Sequence, residues 1–314
     1  MKSNQTNYKV KNPILFITFR RPSTTAAVFK EIRKAKPHKL YLAQNYPASK
    51  SHKEQKKWME VRAIIENIDW ECEVIKLFRK EHLEVKESIS SAINWFFEKE
   101  EMGIILEDDC LPTNDFYYFC DYALDKFKNN SNIFAITGDN FQDNNSRGDS
   151  SYYFSKHMHV WGWASWRRAW KTYDVEILFW PEYKKSKNWK SYNNSLHEKK
   201  YWELIYTKTY LNKIYTWDYQ WNLAIWKNNG MVVTPNVNLV TNIGFGSEAT
   251  NTTALDDKAS MMKVGSINII SDPKKIDINK DADNYVFNNY LGGSDPFFFK
   301  TLILILRIAL IKLK

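Results

Sequence analysis

Glu107-Asp108-Asp109 is the densest run of ionisable chemistry in the chain. Three consecutive carboxylates directly follow the apolar stretch Gly103 to Leu106, so their mutual repulsion calls for a counter-cation. Carboxylate oxygens are hard ligands suited to Mg²⁺ or Mn²⁺, and such ions keep positions for water or substrate phosphate. From the letters alone, an acidic turn ahead of a helix capped at Thr113 reads equally well. No GxxxxGK[ST] or GxGxxG occurs, so P-loop chemistry and the dinucleotide fingerprint lack support. Without a glycine-rich cradle, a divalent cation is the natural means of neutralising a diphosphate.

Two aromatic groups and one loop add candidates. Trp161 to Trp170 places Trp166 and Trp170 at i, i+4 with Arg167 and Arg168 between them. Most of these rings are expected to pack a second core; the functional alternative is a wall on which a sugar ring stacks. Base stacking would use similar residues, but no RNP, KH or zinc-knuckle pattern accompanies them, and nucleic acid is not an expected partner. Trp217-Asp218-Tyr219-Gln220-Trp221 opens an apparent helix. Asp218 there is either a capping residue or a carboxylate held ionised by the helix field, which suits a base that accepts a hydroxyl proton. Asn242 to Gly246 and Ala249 to Thr252 read as a surface loop or as a lid whose amides and hydroxyls meet phosphate. The histidines complete no zinc set, and no GxSxG elbow marks a covalent hydrolase.

The elements that must position these residues follow from periodicity. Apolar runs at 13–20, 38–44, 72–78, 103–106 and 132–137 read as strands. Between them, 22 onward (Ala26, Phe29, Ile32 at helical spacing), 55–68, 87–101 and 113–127 read as amphipathic helices. Alternating strands and helices predict an α/β fold with a mainly parallel sheet and helices on both faces. Ligands then bind beyond the carboxyl ends of the strands, at Thr18 to Arg21, Gln44 and Asn45, Arg79 and Glu107 to Asp109. Ten of the 13 tryptophans lie between Trp161 and Trp226, so the alternation gives way to a Trp-rich half. The expected organisation is a first half over 1–150, a second half over 151–260 and a tail over 261–314, to which the resemblance described below assigns nucleotide-sugar binding, acceptor binding with catalysis, and membrane association.

The net charge of +9 hides a pattern: residues 1–60 hold 14 bases and 3 acids, 61–150 hold 9 and 19, and the rest 22 and 14. This basic–acidic–basic layout fits an anion-handling site beside carboxylates better than a uniform nucleic-acid surface. Three cysteines without a CxxC pair exclude a disulfide framework and suit a reducing compartment. The first seven residues lack the apolar core of a secretory signal. Pro296 to Lys314 carries Lys300, Arg307, Lys312 and Lys314 on an otherwise apolar helix too short to span a bilayer. A helix lying in an anionic membrane interface is favoured over one docked on the core.

The stretches PILFITFRRPSTT, KLYLAQNYP, GIILEDDCLP, ITGDNF, HVWGWASWRRAW, TWDYQW and NLVTNIGFGSEATNT occur in an order that resembles bacterial GT-A-fold nucleotide-diphospho-sugar glycosyltransferases. These are distantly similar to the eukaryotic transferase that starts complex N-glycans. The resemblance implies an inverting, Mn²⁺- or Mg²⁺-dependent transfer from a uridine-diphosphate-linked sugar to a glycan or lipid-linked acceptor, at the cytoplasmic face of a membrane, in cell-surface polysaccharide synthesis. It implies that Asp109 binds the metal, that Glu107 and Asp108 meet the ribose and neighbouring groups, and that Asp218 is the catalytic base. Thr18, Phe19, Arg21, Asn45, Arg79, Trp161, Trp163, Trp217, Gly244 and Thr250 complete the expected substrate-binding set. Arg20, Asn45 and Asn251 depart from the family's usual Asn, Asp and His. A catalytically silent carbohydrate-binding relative and a metal-dependent nucleotidyltransferase remain the alternatives.

Overall fold

The computed structural model describes residues 8–49, 51–192, 195–245, 262–295 and 299–312. The first half alternates as the sequence predicts: β1 (Ile14–Thr18), α1 (Pro22–Ala35), β2 (Lys39–Gln44), α2 (His52–Glu66), β3 (Glu73–Phe78), α3 (Val85–Phe97), β4 (Met102–Glu107), β5 (Cys110–Pro112), α4 (Asn114–Phe127) and β6 (Ile133–Thr137). The second half comprises β7 (Tyr152–Ser155), β8 (Trp163–Trp166), α5 (Arg167–Trp170), α6 (Trp180–Tyr183), α7 (Lys187–Tyr192), α8 (Leu196–Tyr210), α9 (Asp218–Lys227), β9 (Met231–Pro235), β10 (Val240–Asn242), α10 (Lys280–Tyr290) and α11 (Phe299–Lys312).

Eight strands form one mixed sheet in the order β3-β2-β1-β4-β8-β6-β9-β7. The first four run parallel, as expected of βαβ units. β8 breaks the pattern, lying antiparallel between β4 and β6, and β7 closes the far edge antiparallel to β9. The chain is therefore α/β with a Rossmann-like parallel portion extended by a mixed one. Successive residues of β1 enter opposite cores, which places helices on both faces. Ile14 and Phe16 meet Val28, Phe29 and Ile32 of α1, together with α2 and α4 residues. Leu15 and Ile17 meet Ile93 and Phe96 of α3 and the tryptophans of the second half. The inward face of α1 is Thr25, Val28, Phe29, Ile32 and Ala35; Ala26, expected inward, is exposed.

Nine of the ten tryptophans from Trp161 to Trp226 are buried, all but Trp161. The stretch read for its i, i+4 tryptophans is a strand followed by a single helical turn. In β8 the alternation of a strand sends Trp163 to one core and Ala164 and Trp166 to the other. Thr113 sits at the N-cap of α4 without making a side-chain cap bond. The tail is not separate from the body: α10 joins β7 through Asp283, which accepts from the Ser155 hydroxyl at 2.6 Å, and α11 docks on α8 by one face.

Candidate functional site

A cleft of about 880 Å³ opens at the carboxyl edge of β1 and β4. Its walls come from Thr18 to Arg21 after β1, Asn45 after β2, His82 to Val85 with Ser88 and Ile89 at the start of α3, Glu107 to Cys110 between β4 and β5, Val160 and Trp161, Lys213 to Tyr219 leading into α9, and Asn242, Gly244 and Phe245. The antiparallel pair β5–β10 carries that last segment across the sheet edge, with the Ile243 amide donating to the Asp109 carbonyl at 2.8 Å.

The counter-cation that the carboxylate run demands is supplied by Arg21. Its Nη1 donates to Asp109 Oδ2 at 2.7 Å and its Nη2 to Asp108 Oδ1. Arg21 also occupies the N-cap of α1, where its carbonyl accepts the Thr25 amide while its side chain is committed to the carboxylates. Asp108 Oδ2 accepts the Phe19 amide at 3.1 Å, so both Asp108 oxygens are engaged and the residue is buried. Burial raises the Asp108 carboxyl while Arg21 pulls it down; the two carboxylates in turn raise Arg21 despite its burial.

One guanidinium does not balance the cluster. Burial, with Asp109 beside it, pushes the Glu107 carboxyl up to about 8 against the pull of Arg21, and Asp108 and Asp218 push the same way. Asp218 faces the same cleft as the first residue of α9, its Oδ1 accepting from the Thr216 hydroxyl. Burial raises its carboxyl too, outweighing the Thr216 hydroxyl and the amides of Asp218 and Tyr219. The helix field was expected to lower it; desolvation wins. Gly244 is small for a local reason: a Cβ there would stand 2.3 Å from Asp109 Oδ2 and 2.9 Å from Arg21 Nη1.

No family model and no curated protein matches the chain. Among the solved structures it resembles is HddC from Yersinia pseudotuberculosis, at 10% identity and a TM-score of 0.31 over 55% of this chain and 86% of HddC. At that score the likeness carries no argument about fold or function.

Of the sequence-predicted residues, Thr18, Phe19, Arg21, Asn45, Glu107, Asp108, Asp109, Trp161, Trp217, Asp218 and Gly244 line the one cleft. Three expectations change. Trp163 is 1% exposed and packed among Trp170, Trp217 and Trp221, so its ring is a core element and offers no face to a sugar. Arg79 lies outside the cleft, its Nη2 donating to the Ser91 hydroxyl at 2.6 Å. Asn45 lines the wall, but its Oδ1 accepts the amides of Tyr46 and Leu83 and its Nδ2 donates to the Leu83 carbonyl. Both carbonyl lone pairs are used, so Asn45 shapes the wall and keeps no free acceptor for a substrate. Thr250 and Asn251 lie outside the described residues.

Sequence reasoning missed His82, Glu84 and the 213–216 segment. His82 Nδ1 lies 2.8 Å from the Tyr46 carbonyl, and its ring is tilted against Phe19 at 6.0 Å. A lone histidine between two elements carries no local signal. Phe245 meets Trp161 edge-on at 5.9 Å, and the two half-buried rings both line the cleft.

Proposed function

We propose that the chain is an inverting glycosyltransferase of GT-A type, moving a sugar from a nucleotide diphosphate, uridine-linked by resemblance, to a glycan or lipid-linked acceptor. What supports the reading is the meeting of Glu107, Asp108, Asp109 and Asp218 with a single guanidinium at the ligand edge of a Rossmann-like sheet. Glu107 to Asp109 form one run and Asp218 is brought to them from a distant segment, and a fold gains nothing in stability by adding a like charge to that cleft.

In this mechanism Asp218 takes the proton of the acceptor hydroxyl as that oxygen attacks the anomeric carbon. The carbon–oxygen bond to the diphosphate breaks on the opposite side, and its electron pair leaves with the nucleotide. The raised carboxyl of Asp218 strengthens it as a base at neutral pH. Asp108 holds Arg21 and the Phe19 amide in place, and Arg21 is the cation that the cleft's carboxylates fix beside the site for the departing diphosphate. The donor set fits a divalent ion: Asp109 Oδ1 receives only the weak Sγ–H of Cys110, at 3.5 Å, and the carboxylates outnumber Arg21. Held by Asp109, Mn²⁺ or Mg²⁺ would neutralise diphosphate charge and draw its remaining ligands from substrate and water, because no cluster of three or more His, Cys, Asp or Glu placed to hold a metal exists among the described residues.

The test is a panel of nucleotide-sugars incubated with and without Mn²⁺, scored for free nucleotide diphosphate and for sugar on an acceptor. Nucleotide diphosphate release coupled to an anomer-inverted product is expected. Nucleotide transfer with pyrophosphate release, or no turnover with any donor, would overturn the reading.

A further inference from the structure

Helix α11 is fixed on α8 by a specific joint. Asp295 accepts the amides of Lys300 and Thr301 at 3.0 and 2.6 Å, and the Thr301 hydroxyl at 2.6 Å, and so caps the helix. The buried His197 of α8 bridges the joint, with Nδ1 3.1 Å from the Thr301 hydroxyl and Nε2 3.2 Å from the Gly292 carbonyl. Below the joint, Leu304 and Ile308 bury against Leu204, with Tyr201 and Ile311 beside them. Thr301 meets His197 at the start of α8, and Leu304 and Ile308 meet Leu204 further along, so the two helices run in the same sense. The segment that follows α8, from Lys213 to Thr216, lines the cleft.

This docking uses only one side of α11. Phe299, Leu302, Leu306 and Leu310 recur at helical spacing on the outward side and are 51 to 68% exposed. A helix docked only for stability would turn polar residues outward. The helix has 14 residues, and no helix among the described residues is long and apolar enough to cross a membrane. Lys300, Arg307 and Lys312 supply its charge, and it contains no acid.

We propose that the outward face of α11 rests on an anionic lipid surface, as a rigid ledge of the enzyme. The chemistry of the face selects this occupant. Leucines at one depth fit the acyl boundary, and cations without an acid fit anionic headgroups, whereas a second copy would bring the same unbalanced cations together. Because α8 holds α11 and leads into the 213–216 segment, the membrane orients the cleft as well as recruiting the protein. An acceptor embedded in the bilayer is then presented at the Asp218 side.

The full chain is tested by co-sedimentation with phosphatidylcholine vesicles containing phosphatidylglycerol, and with pure phosphatidylcholine vesicles. The wild type is expected to bind the anionic vesicles, and to release them in high salt. The outward triple variant Leu302→Gln, Leu306→Gln, Leu310→Gln is expected to lose affinity at least ~10-fold. Lys300→Gln with Arg307→Gln, which touches no core residue, should lose about fivefold per charge removed. Equal binding by wild type and both variants, or no binding by the wild type, overturns the proposal. So does a wild-type dimer on light scattering that the triple variant converts to monomer, because that result assigns the face to a second copy.

Discussion

Asp109 and Asp218 share a cleft, but their predicted failures differ. Asp109→Asn keeps the side-chain shape and leaves Arg21 paired to Asp108, so thermal stability should change little. The variant lacks the one carboxylate that Arg21 engages without closing off, so calorimetric titration should show loss of Mn²⁺-dependent donor binding, with turnover nearly abolished. Full turnover in this variant would remove Asp109 from the metal role. Asp218→Asn should instead keep donor affinity and lose turnover by about 10²-fold or more, the scale of a general base. The base must be ionised to act, and burial holds its carboxyl above the ordinary 3.8. The wild-type rate should therefore fall as pH drops through that raised value, and the acid limb should vanish in Asp218→Asn. A limb that persists in the variant assigns the titration to another group. Glu107 to Asp109 was legible through its placement: the three letters read equally well as an acidic turn, and it is their position at the carboxyl end of a strand in a parallel sheet that marks a ligand edge. Arg21 was legible only as a ligand-edge residue: its pairing with carboxylates some 88 positions away has no local trace.

At the scale of elements, β1 to β4 and α1 to α4 were readable because each carries its own periodicity, whatever the order in which the strands pair. β8 was not. Its four residues become a strand only because β4 and β6 flank it, and tryptophans of opposite facing mimic a helical aromatic pair. α10 went unread for a similar reason: its buried face includes Asp283, a charge that sequence patterning assigns to solvent. Asp283 accepts from the Ser155 hydroxyl and the Lys156 amide, and burial raises it to about 6 despite Lys156. The folded value lies above the unfolded 3.8, so the folded state binds the proton more tightly. Stability from this group is full below pH 4 and is lost as pH rises through 6. Asp283→Asn cannot ionise and escapes that loss. Denaturant unfolding should find it destabilising at pH 4.5, with the cost shrinking by about 2 kcal/mol at pH 7.5. A cost that is equal at both pH values, or larger at pH 7.5, would show that Asp283 is held as an ion.

The molecule as a whole is tied together by the position of β8. The two halves inferred from composition divide the chemistry near residue 150, yet β8, at Trp163–Trp166, is the strand that joins β4 to β6. A fragment ending at residue 150 therefore keeps every predicted first-half element and loses the centre of its sheet. Ile104, Ile105, Ala135 and Ile136 lose the strand beside them, and Phe96 and Phe97 lose the tryptophan-rich core of the second half. Uncovering a large apolar side chain costs roughly 1.5–3 kcal/mol, and several such losses consume the 5–15 kcal/mol that holds a typical domain folded. The fragment 1–150 should accordingly show no cooperative thermal transition and little near-ultraviolet circular dichroism. Co-expression with 151–314 should restore both, because β8 then returns between its partners. A fragment 1–150 that melts cooperatively on its own would mean that β4 and β6 can pair without β8, and that the first half is an independent unit.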